Sequence, residues 1–365
     1  MNKWLSPFYV TIALSIAFIV SAFTSFAHTT NFFALSLALF FMTIFIHELG
    51  HVVFGRFAGY RFIYMTIGPF TIEKSEKLKI IPNYSWVMFG GVAYCMPIST
   101  DHELTKKHMW YAAGGPLFSI GAAILLLGLW YLTDASLLAY AMTLHGAIFV
   151  ATAIPMRIAG GFYSDGYIWL MLKRGGKKSQ QYVAMLLLTK ELMSPKKPSE
   201  WNKSLIEEAK KMTSSADNIL VAYTVFYYEF VTNGFKAASQ AMDAFKTIPI
   251  TKKNKILLQH LTHIRQIDSY VSDHPDTALI TSLHAQLSKV EPISYKRSEA
   301  LLASLQGDKE LAEKRLQEVM AQCEQQMKQY GFFEAEKQLT TFLQQMMQVR
   351  NRSFMDGSIT SEDMS

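Results

Sequence analysis

Residues 44–54 read IFIHELGHVVF and contain His47-Glu48-Leu49-Gly50-His51, an H-E-x-x-H. Residues four apart share one face of a helix, so both imidazoles can point at a single metal ion. Glu48 follows the first histidine and can reach a water polarised by that ion, as a general base. The setting adds to the motif. From Trp4 to Ile46 there is no Asp, Glu, Lys or Arg, so His47 and Glu48 end a long uncharged stretch. Ionisable groups at membrane depth are costly and are usually retained for function. Two helix-end histidines among headgroups, beside a snorkelling glutamate, would be the bland alternative.

The chain of 365 residues has two unlike halves. Residues 1–172 hold 16 of the 64 Asp, Glu, Lys and Arg residues, and the other 48 follow. This places a boundary near Lys173, between a membrane part and a soluble part. The net charge of +6 suits a protein with basic cytoplasmic edges. With 26 basic and 22 acidic residues, the second half lacks the footprint of a nucleic-acid binder. Cys95 and Cys323 lie on opposite sides of the boundary, which argues against a disulfide framework or a zinc finger.

Four membrane spans are expected. Residues 7–27 form the first, favoured over a cleaved signal peptide ending at Ser25-Phe26-Ala27 because the apolar run is long. Residues 31–54 form the second, with the His/Glu motif at its inner end. Residues 110–131 and 135–156, each 22 long and free of Asp, Glu, Lys and Arg, form the third and fourth. Arg56, Lys106, Lys107, Arg157, Lys173, Arg174, Lys177 and Lys178 mark one side as cytoplasmic. The third span carries Gly114-Gly115-Pro116 and Ser119, small residues that allow close helix packing and a proline that loosens the backbone. Residues 60–99, with Gly68-Pro69, a charged patch at 73–79 and Gly90-Gly91, read as short strands or hairpins against the membrane surface, or as an irregular amphipathic loop.

A catalytic zinc needs three protein ligands and an open position. The third should be an acidic or imidazole side chain at the depth of the motif. Asp165, in Tyr163-Ser164-Asp165-Gly166-Tyr167, lies just past the inner end of the fourth span and opens a new apolar run. The competing role is an N-cap of a cytoplasmic helix. Asp134 sits at the outer end, and Glu73, Glu76, Asp101 and Glu103 lie in charged surface stretches. His145 is a weaker candidate, midway along its span, and His28 and His108 read as interfacial.

With these parts in this order, the chain resembles the site-2 protease family of intramembrane metalloproteases over residues 31–172. The matching parts are His47–His51, Gly115-Pro116, the helix containing Pro155, and Asp165-Gly166. The resemblance implies a Zn2+ held by His47, His51 and Asp165, with Glu48 as the base. It implies cleavage of a substrate's transmembrane helix near the cytoplasmic face, and a β-region at 60–99 that could hold an unwound substrate by strand addition. Gly90, Gly91, Gly115, Pro116 and Thr152 are its candidates for substrate binding or oxyanion stabilisation. Two departures stand out. Thr152 occupies the position three before Pro155 where the family usually carries Asn, and Ile158-Ala159-Gly160-Gly161 lengthens the interval to Asp165. The threonine hydroxyl would then take over part of the asparagine's role, and the glycine pair would form a flexible lip.

The fold expected is mainly α: an extra N-terminal span (1–30), an intramembrane metalloprotease core with a small β-region (31–178), a cytosolic α-helical domain (179–349) and a disordered tail (350–365). In the helical domain, residues 233–249 and 307–312 look like halves of tetratricopeptide-type hairpins, and an ordinary bundle fits equally. Expected partners are a transmembrane protein or peptide substrate, the lipid bilayer and a protein docked by the helical domain, with no nucleic acid. Expected localisation is a bacterial plasma membrane, with the helical domain cytoplasmic. The rival functions are an inactive scaffold or receptor, against which the intact Glu48 argues, and a transporter, against which the lack of internal repeats argues.

Overall fold

The computed structural model describes residues 3–74, 77–98, 103–157, 163–251 and 254–356. The chain divides into two units, residues 1–183 and 184–365.

The first unit opens with α1 (Pro7–Ser21) and α2 (Ala27–Phe57). Proline at the start of α1 fits a helix N-terminus, where its missing N–H costs nothing. At 15 residues α1 is about 22 Å long, short of the ~30 Å hydrocarbon core, so it does not fill the span of 7–27 expected from sequence. Strands β1 (Tyr60–Ile67), β2 (Phe70–Lys74), β3 (Leu78–Pro82) and β4 (Val92–Pro97) follow. Then come α3 (Leu104–Thr133), α4 (Ser136–Ala153), α5 (Asp165–Arg174) and α6 (Gly176–Leu192), the last crossing the division between units. Three helices, α2, α3 and α4, are long and apolar enough to cross a membrane. They pack on one another, and α2 meets α3 through glycines. A side chain at Gly50 would overlap the Gly114 carbonyl, and one at Gly114 would fall 2.9 Å from Phe54 Cβ. Small residues here let two backbones approach closely in lipid.

The strands form one antiparallel sheet in the order β3-β2-β1-β4, which settles the reading of residues 60–99 in favour of strands. Gly68, in the β1–β2 turn at φ +52°, lies against the ring of Phe41, which also packs edge-on to Phe89. Phe41 stands six residues before His47, about 9 Å further along α2. The turn therefore lies beside α2 on the N-terminal side of the motif.

The second unit is helical: α7 (Lys203–Lys210), α8 (Ile219–Ala241), α9 (Asp243–Lys246), α10 (Gln259–Val271), α11 (Thr277–His284), α12 (Pro292–Leu305), α13 (Lys309–Gln326) and α14 (Phe333–Asp356). Asp276 and Asp308 cap α11 and α13 by accepting from the Leu279 and Leu311 amides. Gly234 interrupts α8 at φ +82°, and Gly307 turns the chain between α12 and α13 at φ +78°. Successive helices pack as pairs, α10 with α11, α12 with α13, α13 with α14. Phe226, Leu261, Ile264, Ile267, Leu339 and Leu343 are among the core residues. A polar knot is buried in this unit: Glu336 pairs with Arg297 and accepts from the Tyr227 hydroxyl. Helix α14 runs on to Asp356, into the tail expected to be disordered.

Candidate metal centre

His47, Glu48 and His51 stand on α2, and all three side chains are buried in spite of their polarity. One helical turn puts both imidazoles on the face that meets α3. Each is fixed through its Nδ1. His47 Nδ1 bonds Ser119 Oγ at 2.9 Å, and His51 Nδ1 donates to the Tyr111 carbonyl at 2.9 Å. A donor at Nδ1 leaves Nε2 with a free lone pair, the state a metal requires.

Asp165 is supplied by the start of α5. Ser164, not Asp165, is the N-cap. Its Oγ accepts from the Tyr167 amide at 3.2 Å and from the Met156 amide at 2.9 Å, and donates to the Ile154 carbonyl at 2.7 Å. The cap ties α5 to the end of α4, where Gly166 packs on the Ala153 carbonyl. The Asp165 carboxylate is thus released from capping. Its Oδ2 lies 3.3 Å from His47 Nε2 and 3.4 Å from His51 Nε2. Such spacings match the edge of a tetrahedron with metal–ligand bonds of ~2.0–2.1 Å, for which geometry gives ~3.3 Å. Among the described residues, this trio is the group of His, Cys, Asp and Glu that could hold a metal ion.

The space for the ion is kept by Gly115. A Cβ there would collide with His51 Nε2 and fall 2.6 Å from His47 Nε2. The donor set, the oriented tautomers and this cradle all suit zinc, with three protein ligands and a position left over. Pro116, in the interior of α3, is buried beside it. Glu48 sits within electrostatic range of all three ligands. Gly91, at φ +100°, covers it closely, since a Cβ at that position would lie 2.6 Å from Glu48 Oε1. Gly90 has open space around it.

The remaining expected positions divide. Thr152 is on α4, but its hydroxyl donates to the Ile148 carbonyl at 3.0 Å of its own helix. Residues 158–162, which include the Gly160-Gly161 lip, lie outside the described residues. His145 is buried on α4 within electrostatic range of His47, outside the metal trio, and its Nδ1 has no hydrogen-bond partner. His108 is buried within the protein, 3 % exposed, between the hydroxyls of Tyr60 (3.1 Å) and Tyr182 (3.3 Å). In the sequence, Ser119 reads as a packing residue and Tyr111 carries no signal, because their roles depend on which backbone and ring atoms α3 turns towards α2.

No curated protein and no solved structure matches the chain. The family model described as Peptidase family M50 matches residues 34–351, most of the chain. With the H-E-x-x-H helix, the opposing aspartate and three apolar helices in one unit, the chain belongs to Peptidase family M50, the site-2 protease family of intramembrane metalloproteases.

Proposed function

We propose that this protein is an active zinc endopeptidase that hydrolyses a peptide bond in or near the transmembrane helix of a membrane-protein substrate, close to the cytoplasmic face. The observation that carries this reading is the convergence of His47 Nε2, His51 Nε2 and Asp165 Oδ2 on the cradle left by Gly115. These three residues would hold the zinc. When bound, it would polarise the scissile carbonyl and make water acidic enough to attack.

Glu48 takes the proton from the attacking water and delivers it to the leaving amine. Gly90, in open space next to the Gly91 that covers the base, leaves room for a substrate backbone to approach, and the sheet offers strand edges to an unwound segment. Unwinding is needed because the carbonyls of an intact helix are already bonded. We assign Gly115 and Pro116 to the metal cradle rather than to substrate. The cluster of Arg56, Lys106, Lys107, Lys173 and Arg174 at the metal end of the helices supports a cytoplasmic position for that end, in a bacterial plasma membrane. The helical unit would dock a partner or gate access, and regulated intramembrane proteolysis or signal-peptide processing is the process that fits. A scaffold without activity would have no need of a glutamate buried beside two histidines.

The test uses purified protein in detergent, wild type beside Glu48→Gln and Asp165→Ala, with a glycine-containing transmembrane peptide as substrate. About one zinc per chain is expected in wild type and Glu48→Gln, and less in Asp165→Ala. Only wild type should cut. Cleavage by Glu48→Gln at the wild-type rate, or folded wild type that takes up no zinc, would overturn the reading.

A further inference from the structure

Asp165 reaches the two histidines from a different helix, and its carboxylate meets their Nε2 atoms at 3.3 and 3.4 Å. Ligand positions have to hold to about 0.5 Å, so the start of α5 cannot be loosely placed. The residue before the aspartate fixes it. Ser164 is 4 % exposed and uses its whole hydrogen-bonding capacity. A hydroxyl has one proton to give and two lone pairs to fill. The proton goes to the Ile154 carbonyl at 2.7 Å, at the C-terminal end of α4, where the last carbonyls lack helical partners. The lone pairs take the Met156 amide at 2.9 Å and the Tyr167 amide at 3.2 Å, the second of these in the first turn of α5. One side chain thus closes the end of one helix and the start of the next. Gly166 completes the joint, since a Cβ there would overlap the Ala153 carbonyl.

The connection between the two helices is closed at its base as well. The Ser164 N–H donates to the Met156 carbonyl at 3.0 Å, and Arg157 and Tyr163 form an antiparallel bridge beside it. Arg157 Nη2 donates to the Tyr163 hydroxyl at 3.3 Å, and the Tyr163 ring stacks on Tyr167 with 4.7 Å between centroids. Whatever joins Arg157 to Tyr163 therefore leaves and rejoins the site at one point.

We infer that Ser164 is a positioning residue: its hydroxyl clasps the end of α4 to the start of α5 and so sets where Asp165 meets the metal, independently of the segment between Arg157 and Tyr163. This rests on the reading of His47, His51 and Asp165 as a metal centre, whereas the clasp itself is a property of the fold. Without the hydroxyl, the Ile154 carbonyl and the Met156 and Tyr167 amides lose their common partner in a buried place, where an unmade bond costs more than a made one gains. Helix α5 stays on the protein, because it also packs on α3. The loss falls on the aim of Asp165 rather than on the fold.

The experiment compares full-length wild type in detergent with Ser164→Ala, Ser164→Gly, Ser164→Thr and a variant in which residues 158–162 are replaced by Asn-Gly. Glycine caps a helix nearly as well as serine and alanine does not, yet neither carries the hydroxyl that threonine keeps. Asn-Gly is a two-residue turn suited to joining a bridged pair. Three quantities are read: zinc affinity by chelator competition, melting of the metal-free protein, and exchange of the Met156 and Tyr167 amides. Zinc affinity should fall about 10–100-fold in Ser164→Ala and equally in Ser164→Gly, as when the support of a metal ligand is lost. Threonine should restore most of it, and the shortened variant should keep all of it. The metal-free variants should melt within a few degrees of wild type. Peptide cleavage by Ser164→Ala should return when zinc is raised enough to refill the site, which added zinc cannot do for Glu48→Gln. Full affinity in Ser164→Ala would overturn the inference. So would wild-type affinity in Ser164→Gly beside a loss in Ser164→Ala, which would reduce Ser164 to a helix cap. An equal loss in the shortened variant would also overturn it. A wild type that takes up no zinc would instead count against the metal centre, and unchanged exchange of both amides in Ser164→Ala would still decide against the clasp.

Discussion

Both units bury a cluster of ionisable groups, and the two clusters are built on opposite plans. In the helical unit, Arg297 and Glu336 bring opposite charges together, and the Tyr227 hydroxyl adds a donor to the same carboxylate. Its charges answer one another. In the membrane unit, His47 Nε2, His51 Nε2 and Asp165 Oδ2 present lone pairs to one point, while Ser119 and the Tyr111 carbonyl occupy the other nitrogen of each imidazole. No donor from the chain fills the centre among the described residues. The first plan is an ion pair in which the two charges meet each other, with Arg297 Nε left without a hydrogen-bond partner. The second is a core that calls for a cation.

The sharpest way to break this contrast is to fill or open the second cluster. Gly115→Ala puts a methyl among the ligand nitrogens, and Asp165→Ala removes the carboxylate. Each should lower zinc affinity by more than the ~10–100-fold that loss of a supporting hydrogen bond costs, as read by chelator competition. Retention of full affinity in both would show that the ion, if bound, sits elsewhere. In the other unit, Arg297→Met leaves Glu336 buried without its cation and should destabilise that unit by about 3–5 kcal/mol in denaturant unfolding of the full chain. Pairing it with Glu336→Leu should restore much of the loss, because the double change removes both charges. A double variant as unstable as the single would mean that shape, not charge, holds the knot.

Acid should separate the two units further. His260, on α10, faces Glu336, which favours its charged form, and Arg297, which disfavours it. Burial dominates and holds the imidazole down to about 4. His263, one turn on, is pushed down in the same sense by burial and by Arg297. The unfolded chain takes up the His260 proton near pH 6.5, while the folded one resists until about pH 4, so stability falls as pH drops through that window. For His260 alone the loss by pH 4.5 is about 2–3 kcal/mol, because a tenfold difference in proton affinity between the folded and unfolded chain is worth ~1.36 kcal/mol. Hydrogen exchange along α10 at pH 7 and pH 4.5 measures it, and His260→Gln should flatten the dependence. A flat profile in wild type would show that α10 admits water.

How much of this is legible in the sequence follows from how local each cause is. The spacing of His47 and His51 is a helical property, and the depth of Asp165 follows from charge and hydropathy along the chain, so both are visible there as candidates. The mainly helical fold with its apolar spans is visible for the same reason. The contact of the sheet with α2 is not, because Gly68 meets Phe41 only after strands distant in sequence have paired. Arg297 and Glu336 read as charges on soluble helices, and 39 residues separate them, so nothing local marks them as a buried pair. Tyr111 is hidden most completely. In an uncharged apolar run, a tyrosine looks like an interface residue, and its use depends on a carbonyl and a hydroxyl reaching different elements.

Ser119 gives the finest distinction between the two plans. If the centre were a self-contained hydrogen-bonded core like the one around Glu336, losing the bond to His47 Nδ1 would register mainly as lost fold stability. If it is a metal site, that bond fixes the tautomer and direction of a ligand, and its loss registers in affinity. Ser119 is fully buried, and alanine removes only the oxygen, so packing on α3 changes little. Ser119→Ala should therefore cost about 10–100-fold in zinc affinity, with the metal-free protein melting within a few degrees of wild type. A variant that keeps its affinity and loses its melting temperature would reverse the assignment, making His47 a core histidine satisfied by a serine.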